Sequence, residues 1–98
     1  MLEDVKQALR ISHSALDAEI EDLIDAARHD LMLSGVSESS VNDEADPLIK
    51  RSIVIYVKAN FLSDDVKAQR FQQSYNLLKQ SLNARFDTTL VSRSASQS

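Results

Sequence analysis

A chain of 98 residues makes one domain with a modest core, and 43% hydrophobic with 27% charged residues is an ordinary globular balance. It contains no cysteine and a single glycine, which excludes disulfides, thiolate catalysis, cysteine-held metal centres and the glycine-rich loops that cradle phosphates. The net charge of −4 hides a polarity: residues 1–46 hold 12 acids and 3 bases, whereas residues 47–98 hold 3 acids and 8 bases. Such a distribution speaks against a simple polyanion binder. It suits a subunit whose acidic surface meets a neighbour's basic one, or acids that merely sit where helix starts and loops favour them.

Leu2, Val5 and Leu9 recur at helical spacing, so residues 2–9 are predicted as a short first helix that Arg10-Ile11-Ser12-His13 breaks. Ser14 is the expected N-cap of the next helix, with Asp17 three residues on as the capping acid. From there Leu16, Ile20, Leu23, Ile24, Ala27 and Leu31 form an apolar stripe with a period of about 3.6. Asp17, Glu21, Asp22, Asp25 and His29 lie largely off that stripe, facing water or a partner. Gly35 supplies the left-handed residue that stops the helix.

Residues 36–46 read as a polar loop with one short turn around Ser37 to Val41. Asp46-Pro47 restarts a helix, Asp as cap and Pro at the first helical position. Residues 48–61 are apolar nearly all round. The β-branched run Ile53–Val57 would also suit a buried strand, but the cap and the length favour helix. A helix with no fully polar face must be central, or must bury one side against another subunit. Ser63-Asp64-Asp65 is expected to cap a long third helix over 65–83, marked by Val66, Phe71, Tyr75, Leu78 and Leu82. Past Asn83 the pattern fades: Phe86, Leu90 and Val91 suit a short extended arm, and the small polar ending suits disorder. The expected fold is all-α, a small bundle of three main helices plus a short N-terminal one (residues 1–84), with a flexible C-terminal tail (85–98).

Acids stand at the N-terminus where a signal peptide needs bases, and no apolar run approaches the roughly 20 residues that span a bilayer. A cytoplasmic origin without membrane contact is expected. Catalysis is not: the serine-rich segments lack a His–Asp arrangement to activate a hydroxyl, and Asp64-Asp65 reads as a cap rather than a catalytic pair. His29 with Asp25 and Asp22 is one conceivable metal set, outweighed by a solvated helix face. Lys67, Arg70 and Lys79 are interleaved with glutamines, Arg85 and Arg93 add little, and Asp64 and Asp65 occupy the helix start where base readout would need cations. No enzyme activity, cofactor or metal is expected.

The opening LEDVKQALRIS, the stretch LIDAARHDLMLSGVS and the segment DPLIKRSIVIYVKANF, in that order, make residues 1–82 similar to the head–tail connector proteins of long-tailed phages. Neither of the two most distinctive stretches, LIDAARHDLMLSGVS and DPLIKRSIVIYVKANF, is a catalytic signature, and the tail from Arg85 lies outside the resemblance. The resemblance implies small helical subunits that assemble side by side into a ring beneath the portal once the genome is packaged. Such a ring extends the DNA channel and offers a docking surface to the next head-completion or tail protein. It also implies the portal's twelve-fold symmetry, hence a dodecamer at the head–tail junction of the virion, made in the host cytoplasm, with genomic DNA passing through without sequence-specific binding. A ring needs two different, complementary patches on each subunit. Ile53, Tyr56 and Phe61 are the expected packing residues, with Asp17, Glu21 and Asp25 meeting Lys50, Arg51 or Lys58. The alternatives are a small helical DNA-binding regulator, for which basic clustering is missing, and a phage protein that binds a host partner.

Overall fold

The computed structural model describes residues 1–61 and 65–86. It contains five helices: α1 (Leu2–Leu9), α2 (Asp17–Leu33), α3 (Glu38–Val41), α4 (Pro47–Phe61) and α5 (Asp65–Phe86). No strand occurs among the described residues, so the β-branched run of residues 53–57 is helical. The reason lies at its start. Asp46 Oδ1 accepts hydrogen bonds from the backbone N–H of Leu48 at 2.9 Å and of Ile49 at 3.4 Å, and Pro47 gives up a donor that the first turn could not have used.

α4 is the centre of the molecule. Its most extensive contacts are with α5, then α2, with α1 touching its flank. It buries Ile49, Ser52, Ile53, Ile55 and Val57, and the one polar group among them is satisfied, because Ser52 Oγ donates to the Leu48 carbonyl at 2.8 Å. α2 turns the expected stripe inward: Ile20, Ile24, Ala27 and Leu31 are buried, and Leu16 and Leu23 pack at its edge.

Both long turns use left-handed stops. At the end of α2, Gly35 has φ +114°; its N–H donates to the Met32 carbonyl and the Val36 N–H to that of Leu31, each at 3.0 Å, and Val36 packs beside Leu31 inside. At the end of α1 the same closure is made by Arg10 at φ 60°, an arginine where glycine is the easy choice. The short turn expected around Ser37 is α3, with Ser37 Oγ accepting from the Ser40 N–H at 3.3 Å.

Two boundaries differ from expectation. α2 begins at Asp17, and Ser14 does not cap it. His13 Nδ1 accepts from the Ala15 N–H, and the Ser14 carbonyl accepts from the Asp17 N–H, so residues 13–16 are folded into a turn of their own. α5 runs through Phe86 rather than ending near Asn83, which puts Phe86 in the helix and not in an extended arm. Leu90, Val91, the Ser63-Asp64 cap and nearly all of the expected tail lie outside the described residues. Within α5, Val66 leaves the expected apolar spine and is 62% exposed, while Tyr75 and Leu82 are fully buried.

One polar knot crosses the interior. The Tyr75 hydroxyl donates to Asp30 Oδ2 at 2.6 Å, Lys79 Nζ stands 3.2 Å from the same oxygen, and Tyr56 meets the Tyr75 ring edge-on at 5.0 Å. α2 and α5 are thereby tied together directly. Burial, then the bond to Asp30, pushes the Tyr75 phenol above the ordinary tyrosine range; burial also raises Tyr56.

Candidate subunit interface

The end of α1, the last turn of α4 and the first turns of α5 converge on a cleft of about 540 Å³. Arg10, Lys58, Lys67 and Arg70 border it, Leu9 and Phe71 give it an apolar wall, and no carboxylate lines it among the described residues. Each cation has a local reason to be there. The left-handed stop of α1 swings Arg10 outward, and Lys58 lies near the carbonyl end of α4, where positive charge is favoured. Its Nζ stands 5.3 Å from the Phe71 ring centre, a cation–π contact. Lys67 and Arg70 sit on the exposed side of α5.

The acids collect elsewhere. The ridge of α2 that faces away from α4 carries Glu21, Asp22 and Asp25, all exposed, with Glu19 on its flank. Pairing within the chain accounts for other carboxylates. Lys6 Nζ lies 2.8 Å from Asp17 Oδ1, close in distance though too poorly angled for a hydrogen bond. Lys50 Nζ is 3.4 Å from Asp4, and Lys79 takes Asp30. The Met1 ammonium reaches Glu44, whose carboxyl it holds below the usual glutamate value. Asp25 has a loose contact of 3.8 Å with Arg28, and Glu19, Glu21 and Asp22 meet no cation among the described residues.

The nine residues expected at an interface are therefore scattered. Glu21, Asp25 and Arg51 are exposed, the last edging a shallow groove of about 240 Å³ with Ile55 and Leu77. Asp17 and Lys50 are occupied by intramolecular pairs, and Lys58 lines the basic cleft. Tyr56 and Phe61 are half-buried against the chain's own core. Ile53 is a correction: it has no exposed surface, because its side of α4 is enclosed within the bundle, so it has nothing to offer a neighbour. Arg10, Lys67 and Arg70 are the cleft residues that the expectation omitted. Their only signal in the sequence is their charge, since positions 10 and 70 meet through tertiary packing alone. No three His, Asp or Glu side chains among the described residues converge as metal ligands, and no described helix is long and apolar enough to cross a membrane.

The sequence model of the family described as phage connector protein matches residues 1–89, and the chain belongs to that family. The match runs seven residues beyond the stretch to 82 that carried the resemblance, and through the end of α5. No curated protein and no solved structure matches the chain. Membership makes the chain a structural connector of a bacteriophage, a virion component that interacts with other head or tail proteins.

Proposed function

We propose that the protein assembles as a closed ring at the head–tail junction, docking beneath the portal, continuing its DNA channel and presenting the opposite rim to the next head-completion or tail protein. The observation that carries this reading is family membership across residues 1–89, nearly the whole chain. The separation of acidic and basic surfaces onto different helices supports it, because a head-to-tail ring needs two unlike patches on each copy. Twelve copies, matching the portal, are the expected number. DNA passes through the lumen without sequence readout, in keeping with a channel that lets the duplex slide. Absolute mass by light scattering over a concentration series, with and without purified portal, tests the reading, and negative-stain images identify any large species. Rings, free or portal-seated, are expected. A chain that stays monomeric at every concentration and ignores the portal overturns it.

A further inference from the structure

We infer that the outer stripe of α2 in one copy packs, parallel and in register, against the outer stripe of α5 in the next copy around the ring, with Leu33 meeting Leu77. This deepens the ring reading and rests on it. The first support is where apolar surface is left over. The exposed large hydrophobic side chains among the described residues are Met32 and Leu33 at the end of α2 and Val66 and Leu77 on α5, with Leu33 at 79% and Leu77 at 64%. Leu77 also borders the shallow groove of about 240 Å³ that Ile55 and Leu78 help to line, so an apolar side chain brought against it meets further apolar surface. A phosphate backbone would gain nothing from either leucine, and this favours a second copy over DNA as occupant.

Spacing is the second support. On α2, Asp22, Asp25, His29 and Leu33 are all exposed and lie three or four residues apart, one stripe along the helix. On α5, Val66, Arg70, Gln73 and Leu77 do the same. Each stripe covers an offset of eleven residues, about 16 Å of helix. Laid side by side in the same direction, Leu33 falls on Leu77, His29 on Gln73 and Asp25 beside Arg70, and the mismatch is confined to Asp22 and Val66 at one end. Asp25 can take part, because its contact with Arg28 is loose and 77% of its side chain is exposed. In the reverse direction Asp22 is pressed onto Leu77 and His29 onto Arg70, which desolvates a carboxylate without a partner. Two α2 stripes set against each other would bring acids against acids.

Direction is the third support, and it comes from different residues. Within one subunit Asp30 bonds to Tyr75 and Lys79, and Gly35 lies beside Asn83, so α2 and α5 run the same way. Asp30 thereby stands level with the turn from Tyr75 to Lys79. Rotation about a ring axis that follows the bundle preserves both direction and height. The α5 of the next copy therefore runs parallel to α2, and Leu33 arrives within about one turn, roughly 5 Å, of Leu77.

The chain has no cysteine, so introduced thiols report the seam directly. Leu33→Cys and Leu77→Cys are made in separate chains; both sites are exposed, and circular dichroism first establishes that each keeps wild-type helicity. Under the conditions, portal included, in which wild-type rings form, an equimolar mixture treated with a short thiol-specific cross-linker is expected to give a covalent dimer. Neither chain alone is expected to do so, and pairing Leu33→Cys with Val66→Cys in place of Leu77→Cys is expected to lose the product. Leu77→Ser is expected to need about tenfold or more protein to assemble, while its urea midpoint stays near the wild-type value. The inference is overturned, with the ring reading intact, if rings form but the mixture gives no more dimer than either chain alone, or if Val66→Cys cross-links as well as Leu77→Cys. It is also overturned if Leu77→Ser assembles like wild type. Should that variant keep free rings but lose the portal, the stripe of α5 is a portal surface and the inference fails. Failure of the wild type to form rings under any condition removes the ring reading, and the seam with it.

Discussion

α4 and α5 lie against each other along most of their length, yet they meet opposite surroundings. α4 buries five of its 15 residues and sits between its neighbours on several sides. α5 has 22 residues; among its described side chains only Tyr75 and Leu82 are fully enclosed, and Val66 and Leu77 are more than 60% exposed. The inner helix spends its side chains on the fold. The outer helix keeps a narrow spine for the fold and offers the rest, including half of the basic cleft, to whatever lies outside. A substitution in α4 should therefore register as lost stability, and one on the outer side of α5 as altered assembly.

The sharpest way to break that contrast is Ile53→Ala. Removing a fully buried isoleucine from a closed site costs about 2–5 kcal/mol, a large fraction of the roughly 5–15 kcal/mol that holds a domain together. Urea unfolding followed by circular dichroism measures it, and a loss below about 1 kcal/mol would mean that α4 is not the interior element described here. Tyr75→Phe comes next, at about 1–3 kcal/mol, because Asp30 loses its phenolic donor and keeps Lys79. That variant also changes the response to alkali. The Tyr75 and Tyr56 phenols are raised in the folded protein, so above a pH of about 10 the unfolded chain gives up tyrosine protons that the folded chain retains. Stability is then full below that pH and falls as pH climbs from it through the raised folded values. Melting temperatures taken from pH 8 to 11 should drop less steeply in Tyr75→Phe than in the wild type. The smallest effect belongs to the exposed side of α5, where Leu77→Ser should change stability by no more than about 0.5 kcal/mol. A urea midpoint lowered as far as that of Tyr75→Phe would place Leu77 inside the fold and erase the distinction between the two helices.

The helices were legible wherever a local device announced them. Asp46-Pro47 and Gly35 act through their own backbone geometry, and the stripe of α2 needs only its own spacing to show which side turns inward. The start of α2 was not legible because a serine followed by an acid satisfies the capping pattern, while His13 and the Ser14 carbonyl hold that segment in a turn instead. In α4 the same apolar richness that marked the helix as central concealed its directions. A wheel with no polar face cannot say whether Ile53 meets its own chain or another, and here it meets its own. The cleft was the least legible feature. Lys58 was in view, but its partners come from the end of one helix and the start of another, and no periodicity links position 10 to position 70. The Asp30–Tyr75–Lys79 knot is hidden for the same reason, Asp30 lying 45 and 49 residues from its two partners.

The left-handed turn that ends α1 has a consequence for how such a chain is improved or damaged. Glycine at position 10 would relax the backbone there, and a search for greater thermal robustness would select it early. The same change would strip one of the four cations from the rim of the cleft. Arginine at that position is a choice of surface over comfort, so variants of this subunit ranked by heat resistance and by recruitment into a virion should fall in different orders.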